Sequence, residues 1–100
     1  MTRTIYRFTF DPKVAIEDVE DSIVISVFAA EGLHGPARVR MDASYLLAAK
    51  RRVCVIDAST RVGRTITTIF TSFVLRAFGA DAVRVERIRK ATDAAKAVRR

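Results

Sequence analysis

The chain alternates between two apolar rhythms, one of period two and one near three and a half, and their order predicts the architecture. Residues 4–10 set Tyr6, Phe8 and Phe10 against Ile5, Arg7 and Thr9. Their β-branched and aromatic content predicts a strand, which Asp11-Pro12 stops. Over residues 14–31, Ile16, Val19, Ile23, Val27 and Ala30 recur at helical spacing. Glu17, Asp18, Glu20 and Asp21 fall in the first turns of that helix, where its dipole favours acids. The segment IVISVF inside it has strand propensity, but the helical period runs through it. Gly32 and then Gly35-Pro36 are the expected helix stop.

Residues 37–46 alternate Val39, Met41, Ala43 and Tyr45 against Arg38, Arg40, Asp42 and Ser44, which predicts a second strand with one buried face. After a connection at 48–51, the apolar run Arg52–Asp57 reads as a central strand covered on both faces. From Gly63 to Phe78 the residues Ile66, Ile69, Phe70, Phe73, Val74 and Ala77 share one helical face, with Gly79 as the stop. Residues 82–88, AVRVERI, alternate again and form the last strand. The order β-α-β-β-α-β predicts an α+β domain over residues 1–88. The expected form is a ferredoxin-like two-layer sandwich, a four-stranded antiparallel sheet with two helices on one face. Right-handed crossovers put the first and third strands at its centre. Residues 89–100 are Ala- and Lys/Arg-rich without an apolar face, and read as a basic tail, frayed helix or disordered.

Composition narrows the class. Half of the 100 residues are apolar, enough for one core without disulfides or a structural metal. The single cysteine, Cys54, excludes an intramolecular disulfide and every multi-cysteine zinc pattern. No metal or cofactor is expected. No segment has the length of a membrane span, and MTRTIYRFTF lacks a signal peptide's apolar core. A cytoplasmic protein without a membrane partner is the expectation. The net charge of +7 is unevenly placed: residues 1–49 hold five Lys/Arg against seven Asp/Glu, and residues 50–100 hold thirteen against four. Such asymmetry suits an anionic partner, or a second copy packed acidic region to basic region.

Three groups of residues carry candidate chemistry. The turn between the apolar strand and the second helix holds Asp57, Ser59, Thr60, Arg61 and Arg64. Ser59 or Thr60 is placed to cap the helix, and the arginines put positive charge beside its free N–H groups, an arrangement suited to a small anion. Gly63 stands alone with no Lys-Ser/Thr pair after it, so this is not a phosphate loop of the known kind. On the second helix, Thr65, Thr68, Ser72 and Arg76 follow helical spacing with Leu75 at the margin. Hydroxyls stand there where a solvated helix favours Lys and Glu. Val24 and Phe28 belong to a first helix whose apolar residues span most of its circumference. Together these faces suit a homo-oligomer contact. The third group, Arg7, Arg38, Arg40 and Arg84 on predicted strands with Arg89, Lys90, Arg99 and Arg100 of the tail, suits nucleic-acid phosphates.

No catalytic constellation appears. His34 has no positioned nucleophile or metal ligand beside it, and Cys54 lies inside an apolar strand as an inert thiol. The run Arg51–Ile88, with Glu31–Tyr45 before it, resembles short bacterial proteins without an assigned activity, a resemblance that brings no ligand or role. The leading expectation is a non-catalytic interaction module. A nucleic-acid-binding protein and a small-anion sensor are the alternatives.

Overall fold

The computed structural model describes residues 3–88, so the basic tail expected at 89–100 lies outside the described residues. The chain runs β1 (Ile5–Phe10), α1 (Ile16–His34), α2 (Pro36–Asp42), β2 (Tyr45–Ala48), a 3₁₀ turn at Ala49–Arg51, β3 (Val53–Asp57) and α3 (Arg61–Phe78). A second 3₁₀ turn at Ala80–Ala82 leads into β4 (Val83–Ile88). Among the described residues this is an α+β arrangement of four antiparallel strands and three α-helices. The strand order is β2-β3-β1-β4, with the first and third strands central as the crossover argument requires.

Register decides which residues meet the helices. Phe8 lies opposite Cys54 on one side and Val85 on the other. The sheet face bearing Phe8, Phe10, Cys54, Ile56 and Val83 packs on Val19, Ile23 and Ala30 of α1 and on Val62, Ile66, Phe70 and Val74 of α3. The opposite face carries a small cluster of Ile5 and Val55 with half-buried Ile88. Val53–Ile56 are therefore all buried as their apolar run implied. The helices cover one face only, and neighbouring strand side chains close over the other.

Two sequence expectations fail for physical reasons. Residues 37–46 are not a strand: Pro36–Asp42 form α2, and the second strand shrinks to Tyr45–Ala48. Pro36 sits at the helix start, where its missing N–H costs nothing, and Val39 and Ala43 are spaced for a helix as well as for a strand. Only Val39 of α2 is buried, and Met41 is 81% exposed. The helix count among the described residues is accordingly three rather than two. Gly32 lies within α1, which continues to His34, and Gly35 at φ 87° is the true stop, its amide donating to the Glu31 carbonyl at 2.8 Å. The β-prone segment 23–28 is helical, with the buried Ser26 hydroxyl donating to the Ser22 carbonyl at 2.7 Å.

Arg52 enters β3 in the left-handed region at φ 59° and ψ 42°. Its guanidinium donates to the carbonyls of Asp11 (2.9 Å) and Val14, which ties the β1–α1 connection to the start of β3.

Cys54 is fully buried, and burial pushes its thiol from 9.0 up to about 12. The native protein should leave a thiol reagent unreacted at pH 8 and titrate one thiol per chain only in denaturant. Because the folded thiol holds its proton more tightly than the unfolded one, the stability it contributes is complete below pH 9 and falls as pH rises from 9 towards 12. Denaturant melts at pH 8 and 10.5 on the wild type and Cys54→Ala measure this. An equal pH slope in both would refute it.

Candidate functional site

The turn after β3 is held chiefly by its own polar groups. Asp57 Oδ1 accepts the Ser59 amide at 2.8 Å, while its other oxygen lies 3.7 Å from the Arg3 guanidinium. Ser59 Oγ accepts the Thr4 amide at 3.0 Å and so joins the turn to the strand lead-in. The Thr60 hydroxyl is the N-cap of α3: it accepts the Gly63 amide at 2.9 Å and donates to the Asp42 carbonyl at 3.1 Å. Asp57 and Thr60, two of the five expected anion ligands, thus build the turn itself. Arg61 departs from the rest, lining a separate hollow with Leu33, His34, Arg38, Asp42 and Val62.

Ser59 and Arg64 remain together, in company the sequence did not indicate. They line a crevice of about 510 Å³ between the first turn of α3 and the β1–β4 edge, with Arg3, Thr4, Tyr6, Ala58 and Arg87. Three arginines line it from three places in the chain: Arg3 ahead of β1, Arg64 on α3 and Arg87 on β4. The strand pair brings them together, since Tyr6 and Arg87 are cross-strand neighbours. Arg64 also donates to the Ser59 carbonyl at 3.3 Å. Among the described residues neither Arg64 nor Arg87 forms an ion pair with an acid, and Arg3 is balanced by Asp57. Arg3, Tyr6 and Arg87 were missed because no local pattern links positions more than eighty residues apart.

The outer side of the helix layer is the second candidate. On α1, Val24, Ile25 and Phe28 point away from the buried stripe Val19, Ile23, Ser26 and Ala30, and Phe28 is 65% exposed. On α3, Thr68, Ser72, Leu75 and Arg76 are exposed opposite the buried stripe. Thr65 turns inward instead: it is half-buried, and its Oγ1 lies 2.8 Å from His34 Nε2 at the α1–α3 junction. His34 is thus a helix-end residue joining two helices. The hydroxyls of Thr65, Thr67, Thr68 and Thr71 each donate to the carbonyl four residues back. Of these only Thr68 is on the exposed face, and its satisfied donor makes it easier to desolvate there.

The basic sheet face does not form as expected. Arg38 and Arg40 lie on α2 rather than on a strand, and Arg38 pairs with Asp42 at 3.7 Å. Arg7 donates through Nε and an Nη to one oxygen of Glu86, at 3.2 and 2.7 Å, and Arg84 lies 3.8 Å from the same oxygen. Two arginines sharing one glutamate do not make a phosphate track. Arg89, Lys90, Arg99 and Arg100 lie outside the described residues.

Among the described residues no group of three His, Cys, Asp or Glu side chains is gathered as a metal site, and no helix is long and apolar enough to cross a membrane. Comparison with protein-family models, curated proteins and solved structures gives no match.

Proposed function

We propose that this chain is a non-catalytic assembly module that pairs with a second copy of itself through the outer face of the helix layer. The observation that carries this reading is the exposed apolar surface of α1, where Val24, Ile25 and Phe28 stand on the outward side of a helix already anchored by its buried stripe. A single exposed apolar residue is ordinary, whereas adjacent ones on one helix face mark a contact surface. Thr68 and Ser72 of α3 extend the outward layer with uncharged groups, the Thr68 hydroxyl being bonded back to the Arg64 carbonyl.

Charge favours the same chain as partner. Glu17, Asp18, Glu20 and Asp21 precede the apolar group on α1, and Arg38 and Arg40 follow its far end on α2. An antiparallel two-fold pairing centred on Val24–Phe28 sets the acidic turns of each copy against the basic α2 of the other. The strand order and two long helices on one sheet face support reading the scaffold as ferredoxin-like, with α2 as an added element. A cytoplasmic setting suits a lone buried thiol.

The expected result is a dimer at tens of micromolar in light-scattering-coupled gel filtration. Phe28→Asp should raise its dissociation constant about a thousandfold, since a central contact worth roughly 2 kcal/mol counts twice across a two-fold axis. The circular-dichroism spectrum of the variant should be unchanged. A monomer at every concentration from micromolar to half-millimolar would remove this function.

A further inference from the structure

We propose that the crevice between the first turn of α3 and the β1–β4 edge binds a phosphate monoester. The argument begins with charge. Arg3, Arg64 and Arg87 line one crevice, and among the described residues only Asp57, bridged to Arg3, offsets them. A local excess of two positive charges is unfavourable to hold together unless an anion of similar magnitude joins it. A phosphate monoester carries between 1.5 and 2 negative charges near neutral pH, about the complement of that excess.

Geometry and chemistry agree with the charge. Guanidinium forks hold phosphate oxygens in pairs, and forks from three separate elements suit a tetrahedral group better than a planar carboxylate. Arg64 stands one turn into α3, so the anion would also meet the positive end of that helix. Tyr6 is half-buried beside the arginines and offers a hydroxyl and a ring to whatever the phosphate is esterified to. The volume of about 510 Å³ falls within the range of small-molecule sites and exceeds the needs of an inorganic ion. The site is independent of the outer helix face, and residues from both ends of the described chain complete it.

The test is a thermal melt of the full chain in sodium phosphate against sodium chloride of equal ionic strength, with ribose 5-phosphate in a second arm. The expected result is a saturable stabilisation by both, with the sugar phosphate half-saturating at a concentration at least threefold lower. The Arg64→Ala/Arg87→Ala pair should weaken half-saturation at least tenfold, while Arg51→Ala, in the exposed 3₁₀ turn ahead of β3, leaves it unchanged. Should the alanine pair not fold, Arg64→Lys/Arg87→Lys keeps the charge, loses the forks and should still bind the sugar phosphate several-fold more weakly. Stabilisation by phosphate no greater than by chloride would overturn the assignment, as would half-saturation at the wild-type concentration in both double variants. A third arm uses a ten-residue oligothymidylate without terminal phosphate. Tight binding there that ribose 5-phosphate does not displace would also overturn it, in favour of nucleic acid.

Discussion

Gly63→Ala should destabilise the protein by about 3 kcal/mol or more, at the upper end of overpacking effects, although alanine is the better helix former by about 1 kcal/mol. Gly63 is buried in the first turn of α3, where the helix passes over the end of β3. A β-carbon there would overlap the Asp57 carbonyl oxygen and lie 3.0 Å from its carbonyl carbon and 3.2 Å from Ala58 Cα. All three are backbone atoms, so no flexible side chain can withdraw. To admit the methyl group, α3 must lift from β3, which strains the Thr60 cap on the Gly63 amide and loosens Val62 and Ile66 from the core. The melting temperature should fall by at least 12 °C, at roughly 4 °C per kcal/mol for a domain of this size. Gly32→Ala supplies the opposite sign: Gly32 is also helical, but a β-carbon there meets nothing within 4 Å. It should stabilise by about 0.5–1 kcal/mol. Equal or raised stability in Gly63→Ala would show that α3 does not rest on β3 in this way.

Gly63 also shows where sequence reading stops. Beside serine, threonine and arginine it invites comparison with phosphate loops, while its actual constraint is a close approach of helix to strand. The available signal was its place, six residues after an apolar strand ends and three past the capping Thr60. Long, strongly periodic elements were legible: α3 follows Ile66, Phe70 and Val74, and Gly79 closes it with its amide on the Leu75 carbonyl at 3.0 Å. The seven residues of α2 were not, because Val39 and Ala43 satisfy both periods within so short a window. Reading Gly35-Pro36 as the stop of one helix concealed that it also starts the next. That error carried Arg38 and Arg40 onto the sheet and produced the basic face that the register does not support. The arginine crevice was hidden for a different reason. Tyr6 and Arg87 become neighbours only through antiparallel pairing of the first and last strands, a relation set by topology rather than by any local motif.

Phe70→Ala tests the packing on which both candidate surfaces depend, and should lower stability by about 3–5 kcal/mol. Phe70 is 0% exposed and lies edge-on to Phe8, with ring centroids 4.9 Å apart and planes at 84°. Phe10 meets it from the same strand at 6.3 Å, and Phe78 extends the series through Phe10 at 6.2 Å. The ring is thus a point where α3 engages the central strand. Native domains hold only about 5–15 kcal/mol in total, so this one substitution removes a large fraction. Phe73→Ala, three residues along the same helix, removes a ring that is 39% exposed and outside the core cluster. It should cost well under half as much in urea unfolding. Comparable losses at the two positions would mean that α3 is rotated from the face described. A double-mutant cycle between Phe8→Leu and Phe70→Leu should leave a coupling of about 0.5–1.5 kcal/mol, the edge-to-face contribution beyond burial. If that coupling is absent while both single losses are large, burial alone holds α3 to the sheet.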